Sequence, residues 1–181
     1  MSAPSPRAED RHLSPYSTRE KVGRLLWALV QGTLFRCSFH TWSRWRILLL
    51  NRFGARVDRS CVVRRTARVE CPWNLTMKRN ACLGDRAVAY CLGPVTLGER
   101  VTISQNVHLC AGTHDFSRPD LPLLRPPITI GDDTWIGADA FVGPGVSVGA
   151  NTIVGARAVV VKDLPPDSVC VGHPARAIRP R

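Results

Sequence analysis

The chain is short of several features that usually point to a function. It has no Cys-x-x-Cys pair; Cys37, Cys61, Cys71, Cys82, Cys91, Cys110 and Cys170 are scattered singly. An odd number leaves at least one thiol unpaired, so reduced cysteines filling small core sites are expected rather than a disulfide framework. No apolar run is long enough to span a bilayer: Leu25 to Val30 and Ile47 to Leu50 are short and broken by charge. The first residues, MSAPSPRAEDRHLSPYS, are polar and Pro-rich and do not read as a secretory signal. Acids are scarce, 14 against 25 Lys and Arg, which leaves a net charge of +11. Such a surplus favours an anionic partner: nucleic acid, a phosphorylated cofactor or an acidic membrane face. Arg52, Arg56, Arg59, Arg64, Arg65 and Arg68 form a loose cluster, and a second lies at the C-terminal end. No helix-turn-helix, RNP-like or zinc-finger pattern accompanies them, so no nucleic-acid partner is expected.

What the chain does have is a period. With 181 residues, 44% apolar and 22% charged, it can bury one domain with a short appendage. From Ile130 an aliphatic residue recurs every six positions: Ile130, Ile136, Val142, Val148, Val154, Val160. Gly131, Gly137, Gly143, Gly149 and Gly155 follow the first five. A small or β-branched residue stands four places on, at Thr134, Ala140, Val146, Thr152 and Ala158. In a strand, residues two apart share a face, so this last position and the next aliphatic both point inward. Glycine past the aliphatic suits a turn that needs positive φ or close backbone approach. Three such faces close a triangular coil of about eighteen residues, and stacked coils make a parallel β-helix. Upstream the repeat continues more loosely through Leu97, Ile103 and Leu109, and earlier through Val57, Val63, Val69, Met77 and Leu83. The register slips by two near Leu75 to Met77 and near Val95 to Leu97, which predicts small corner insertions. About five coils are expected.

The predicted organisation is a loose tail over 1–17, a helical N-terminal segment over 18–56, the repeat over 57–164 and a C-terminal extension over 165–181. In the helical segment Val22, Leu25, Leu26, Leu29 and Val30 recur at helical spacing. Two short helices, or one broken near Gly32, would cap the open end of the coils. The same segment, with Arg, Trp and Leu on its faces, also suits an anionic membrane surface, and peripheral membrane contact is the alternative or additional role.

A loop over 115–127 interrupts the repeat and holds Pro119, Pro122, Pro126 and Pro127. A long loop thrown out of a regular scaffold is usually functional. His114, just before it, is placed to accept a proton from a hydroxyl at neutral pH, or is a solvated turn histidine. His108, six residues earlier, reads as structural. A zinc site needs three converging histidines, and of His12, His40, His108, His114 and His173 two lie in the coils, so no metal is expected. After Lys162 the segment LPPDSVCVGHPARAIRPR leaves the hexad rule; Arg176, Arg179 and Arg181 suit a phosphorylated cofactor, or are solvated charge.

The runs LCAGTHDFS, ITIGDDTWIGADAFVGPGVSVGANTIVGARAVVVKDLPP and VGHPARAIRPR, with the Trp-rich lead and the PWNL of Pro72 to Leu75, resemble the hexapeptide-repeat acyltransferases. More narrowly they resemble colanic acid biosynthesis acetyltransferases and the related galactoside and maltose O-acetyltransferases. The resemblance covers nearly the whole chain from about residue 20. It implies a left-handed β-helix, an exception to the right-handed crossover rule, in a homotrimer with active sites between adjacent prisms. It further implies that His114 deprotonates a sugar hydroxyl for direct attack on acetyl-CoA, with the thioester oxygen held by the Ala138 N–H. Trp135, Ala156 and Lys162 would line the coenzyme A channel, and Arg176 and Arg179 would meet its phosphates. Tyr90, Cys91 and Asp115 are the candidates for contact with the acceptor. Val161 replaces a Thr common in relatives, and Cys91 an Asn. The implied setting is exopolysaccharide or envelope glycan assembly in the cytoplasm, with a free or lipid-linked saccharide as acceptor. A non-catalytic scaffold and a non-sugar acceptor are the competing readings.

Overall fold

The computed structural model describes residues 14–181; of the expected tail, residues 1–13 lie outside them. Ser17 opens the first helix, α1 (Thr18–Val30), with a reciprocal cap. Its Oγ accepts from the Glu20 N–H at 3.2 Å, and the Glu20 carboxylate accepts from the Ser17 N–H at 3.0 Å. A wide π-helical turn at Gln31–Phe35 continues α1 past Gly32, and α2 (Ser43–Arg52) follows.

The chain then winds in threes. The first coil is β1 (Arg56–Val57), β2 (Val62–Val63) and β3 (Arg68–Val69). The second is β4 (Leu75–Met77), β5 (Cys82–Leu83) and β6 (Val88–Tyr90), and the third β7 (Val95–Leu97), β8 (Thr102–Ile103) and β9 (His108–Cys110). A hairpin of β10 (Thr113–His114) and β11 (Leu123–Leu124) is thrown out here. The fourth coil is β12 (Ile128–Ile130), β13 (Trp135–Ile136) and β14 (Phe141–Val142), and the fifth β15 (Ser147–Val148), β16 (Ile153–Val154) and β17 (Val159–Val160). Each strand pairs in parallel with its counterpart one coil away, giving three sheets as faces of a prism. The fold is the expected parallel β-helix with five complete coils. Beyond them Leu164 bridges to Val148, and β18 (Ser168–Gly172) pairs in parallel with β16, extending the second face. β19 (Ala175–Pro180) folds back antiparallel on β18 and closes the stack.

The inward aliphatics form ladders along the three faces, such as Met77–Leu97–Ile130, Leu83–Ile103–Ile136 and Leu109–Val142–Val160, each no more than 1% exposed. Burial of each such side chain contributes about 1.5–3 kcal/mol relative to exposure. All departures from the hexad occur at one corner, between the third face and the first. Elsewhere the step stays at six. At that corner two residues are inserted around Pro72–Asn74, two around Leu92–Gly93 and fifteen at the hairpin, so that partners lie 20, 20 and 33 residues apart. After the fifth coil the same corner is two residues short, with Ser147 N bonded to the Asp163 carboxylate 16 residues on.

The other corners repeat in detail. From Asn80 to Asp167, the residue three places after the inward aliphatic takes φ between 52° and 78°, at Asn80, Arg86, Arg100, Asn106, Asp133, Asp139, Gly145, Asn151, Arg157 and Asp167. Asn, Asp and Gly tolerate this region best. The N–H of such a residue reaches a corner carbonyl of the preceding coil, as Asp133 does to Glu99 at 2.8 Å and Arg157 to Ala138 at 2.8 Å. Positive φ is therefore not the reason for most glycines after the aliphatic; close approach is. A Cβ on Gly84 would sit 2.6 Å from the Ile103 carbonyl oxygen and 2.8 Å from the Ser104 carbonyl carbon. Gly84→Ala is expected to cost about 1–3 kcal/mol, because backbone must move. Gly32→Ala, whose Cβ meets nothing within 4 Å, is the control and should be neutral or slightly stabilising in urea denaturation. Equal midpoints for the two variants would contradict the close-approach explanation.

The helices answer a backbone problem. The first coil has no coil before it, so one edge of each strand would be unpaired. Side chains of the helical segment pair with all three. Asn51 accepts from the Val57 N–H and donates to its carbonyl, both at 2.9 Å. Ser43 Oγ accepts from the Val63 N–H at 2.8 Å while Arg46 Nε donates to its carbonyl at 2.7 Å. Gln31 accepts from the Val69 N–H at 2.7 Å while the buried Trp27 Nε1 donates to its carbonyl at 2.6 Å. The capping face thus combines these hydrogen-bonding side chains with the buried Phe35, Ile47 and Leu50, and the apolar stripe Val22, Leu25, Leu26 and Leu29 is turned outward.

Candidate active site

His114 ends β10 and is exposed. Its place is fixed by the hairpin: His114 pairs with Leu123, and the Asp115 N–H donates to the Pro122 carbonyl at 3.0 Å. The imidazole Nδ1 lies 2.6 Å from the Leu121 carbonyl oxygen. A carbonyl can only accept, so in the neutral ring Nδ1 carries the proton and Nε2 the lone pair. Leu121 itself has φ 46°, a region a leucine rarely occupies, and that twist is part of what presents its carbonyl. The result is an imidazole in the tautomer a general base needs.

Asp115 does not touch the imidazole. Its carboxylate accepts from the Ser117 N–H at 3.0 Å and Oγ at 2.6 Å, and these bonds hold it below the usual carboxylate range. It stiffens the loop together with the Arg118–Asp120 ion pair, 2.7 Å. Tyr90 lies on the outer side of the third face, edge-on to His108 at 6.1 Å, and burial pushes its phenol up. His108 is sandwiched between Tyr90 and Phe141, its Nε2 buried without a partner among the described residues, and desolvation lowers its affinity for a proton. Cys91 corrects an expectation. Its side chain is fully buried, with Sγ 3.2 Å from the Cys71 carbonyl, and burial pushes the thiol up to about 12. Pointing into the prism, it cannot meet an acceptor.

A polar network that the sequence did not reveal joins α1 to the end of the His114 loop. Arg125 donates to Glu20 at 2.6 Å, which holds Glu20 low, and Arg24 pairs with Glu70 at 2.5 Å. Both guanidinium groups lie over the Tyr16 ring, at 5.2 and 4.2 Å. The partners are 105 and 46 residues apart, so no local pattern could pair them.

The remaining candidates occupy a different edge of the prism. Ala138 and Ala156 stand in successive corners between the second and third faces, coupled by the Arg157 N–H to Ala138 carbonyl bond of 2.8 Å. Among the described residues the Ala138 and Ala156 N–H groups have no acceptor. Trp135 leans to the same edge, half-exposed, its Nε1 donating to Ser104 Oγ at 2.8 Å. Lys162 is exposed at the corner between the third and first faces, the edge that also carries the His114 hairpin, with Val161 51% exposed beside it. Arg176 and Arg179 are exposed on β19 and form no ion pair with an acid among the described residues. One protomer therefore does not gather the candidates: the third face separates Trp135, Ala138 and Ala156 from His114 and Lys162. No cluster of His, Cys, Asp and Glu suited to a metal ion occurs among the described residues.

Residues 127–162 match the bacterial transferase hexapeptide family (six repeats). The chain is 42% identical over 156 residues to a protein of Escherichia coli (strain K12) named colanic acid biosynthesis acetyltransferase WcaF, covering 86% of each chain. It is similar to the structure of a hexapeptide-repeat acetyltransferase of Vibrio cholerae O1 biovar eltor complexed with acetyl-CoA. There the TM-score is 0.79 at 26% identity, over 93% of this chain and 92% of that one. A galactoside acetyltransferase in complex with coenzyme A gives a TM-score of 0.77 at 26% identity, over 98% of this chain and 92% of that one.

Proposed function

Because the chain belongs to the hexapeptide-repeat acetyltransferases, we propose that it transfers the acetyl group of acetyl-CoA to a sugar hydroxyl, with His114 as the general base. The observation that carries this reading is the Leu121 carbonyl on His114 Nδ1, which leaves Nε2 as a lone-pair acceptor at an exposed edge.

Nε2 takes the proton of the acceptor hydroxyl as its oxygen attacks the thioester carbonyl, so no acyl-enzyme forms. The negative charge that develops on the thioester oxygen is met by the Ala138 N–H, a donor with no competing partner among the described residues. When the tetrahedral species collapses, the C–S bond breaks, and the imidazolium returns its proton to the departing thiolate. Trp135, Ala156 and Lys162 line the pantetheine path in this reading, and Arg176 and Arg179 neutralise phosphates. Because the base and the thioester-binding corner lie on opposite edges of the third face, the site is completed between two neighbouring prisms of a homotrimer. The acceptor class that suits the E. coli relative's name is a saccharide of exopolysaccharide or envelope glycan assembly. If that saccharide rides on a lipid diphosphate, the enzyme works at the cytoplasmic face of a membrane.

Thermal melting with acetyl-CoA tests the cosubstrate half of this proposal. At about 100 times its Kd a ligand adds about 2.7 kcal/mol to the native state. The wild type is expected to show a clear upward shift, and an Arg176→Ala, Arg179→Ala double variant to lose most of it. No wild-type shift would leave a non-catalytic β-helix as the better reading.

A further inference from the structure

Residues 18–69 hold twelve of the 25 Lys and Arg but two of the 14 Asp and Glu, so nearly all of the +11 sits at one end of the prism. The same end is unusually apolar outside. Of sixteen large hydrophobic side chains exposed among the described residues, nine lie between Val22 and Leu48, with Leu25 at 73%, Leu29 at 65% and Phe39 at 69%. Capping the coils does not explain them, since that task is done by Trp27, Gln31, Ser43, Arg46 and Asn51 on the inner side. The outer faces of the two helical pieces adjoin. Trp45 Nε1 donates to the Leu34 carbonyl at 3.1 Å, and Leu26 of α1 shares a groove with Arg52 of α2. Phe39 and Trp42 stack at 5.1 Å, both exposed.

We infer that this outer surface docks on an anionic lipid bilayer, with α1 lying in the interface plane. Aliphatic side chains at Val22, Leu25, Leu26 and Leu29 enter the boundary between headgroups and acyl chains, and Trp42 and Trp45 sit at headgroup depth. Exposed cations at Arg19, Lys21, Arg36, Arg44, Arg52 and Arg59 meet lipid phosphates. Charge decides between occupants. A second copy would bring the same cationic end against itself, whereas an acidic bilayer neutralises it and accepts the leucines. Nucleic acid would neutralise the charge but leave the aliphatic stripe in water. No helix among the described residues is long and apolar enough to cross a membrane, so the contact is peripheral. The docking does not depend on acetyl transfer. One consequence does: the Arg125–Glu20 bond ties the docked helix to the His114 loop, so a lipid-borne saccharide would emerge beside the base.

The experiment is co-flotation of the full chain with vesicles of phosphatidylethanolamine and phosphatidylglycerol, and with phosphatidylcholine alone. Binding is expected to the anionic vesicles, to weaken as salt is raised, and to be absent on phosphatidylcholine. A Leu25→Glu, Leu29→Glu variant should bind the anionic vesicles at least about tenfold more weakly, with melting temperature, mass by light scattering and acetyl-CoA shift unchanged. Equal binding by the variant, or no wild-type flotation at low salt, overturns the inference. So does a fall in mass on substitution, which would place the stripe between copies of the chain. Failure here with a retained acetyl-CoA shift leaves the proposed activity standing; loss of the shift alone leaves the docking standing.

Discussion

Replacing His114 with Ala is expected to lower kcat for acetyl transfer by about 10²–10⁴-fold while KM for acetyl-CoA changes little. The Nδ1 contact of 2.6 Å to the Leu121 carbonyl fixes both the ring plane and the tautomer, and nothing else on the loop can replace Nε2. Asp115, the adjacent carboxylate, is engaged by Ser117 and held deprotonated by it, so Asp115→Asn should cost far less than His114→Ala. His108→Ala should behave differently again. Its Nε2 is buried and unpartnered and its ring is packed between Tyr90 and Phe141, so the expected loss is of stability rather than of kcat. The measurement is release of the coenzyme A thiol with a sugar acceptor, read as kcat and KM for each variant. A loss below tenfold for His114→Ala, with the fold intact by circular dichroism, would sink the general-base role.

Much of this architecture is legible in the residues because the hexad repeats without interruption from Ile130 to Val160, and an inward ladder at period six has few other solutions. The earlier coils are harder to read. Their slips of two fall at a single corner, and a sequence alone does not show that Pro72–Asn74, Leu92–Gly93, the His114 hairpin and Val161–Asp163 occupy the same edge. The corner residue with positive φ was readable in principle as a recurrence of Asn, Asp and Gly three places after the aliphatic. Arg86, Arg100 and Arg157 at that position obscured it. At the candidate site His114 stood out by its place before the Pro-rich loop, but its anchor did not, because a leucine at φ 46° has no sequence signature. Cys91 shows period two outweighing resemblance. Ala89 points in and Tyr90 out, so Cys91 points in, whatever residue relatives carry there. In α1 the helical spacing was plain but its direction was not. Which stripe faces the prism depends on the open backbone edge of the first coil, and that edge asks for donors and acceptors rather than leucines.

That open edge makes Arg46 the most demanding position in the segment, and Arg46→Ala is expected to destabilise the protein by about 3–5 kcal/mol. The guanidinium is fully buried and donates from Nε to Val63 O at 2.7 Å, from Nη1 to Ser38 Oγ and Phe39 O at 2.8 Å, and from Nη2 to His40 O at 2.8 Å. None of these acceptors is charged, and burial together with Arg64 and Arg65 pulls its pKa below the usual range. An apolar residue of similar volume often does as well as a buried ion pair. Here it should not, because three of the four acceptors are main-chain carbonyls that no further substitution can remove, each costly to leave unpaired. Arg46→Met, which keeps most of the volume, is therefore expected to fall well below the wild type, and Arg46→Lys, with three donors on one nitrogen, to lie between. At about 2–4 °C per kcal/mol for a chain of this size, Arg46→Ala should melt roughly 10 °C lower. Urea denaturation of the three variants separates the possibilities. If Arg46→Met matched the wild type, the carbonyl bonds would be dispensable and the residue would be serving as filler. If the expected order holds, Arg46 acts through hydrogen bonds that tie Val63 of the first coil to the turn at Ser38, Phe39 and His40, and the outward Val22, Leu25, Leu26 and Leu29 are left over for a contact outside the chain.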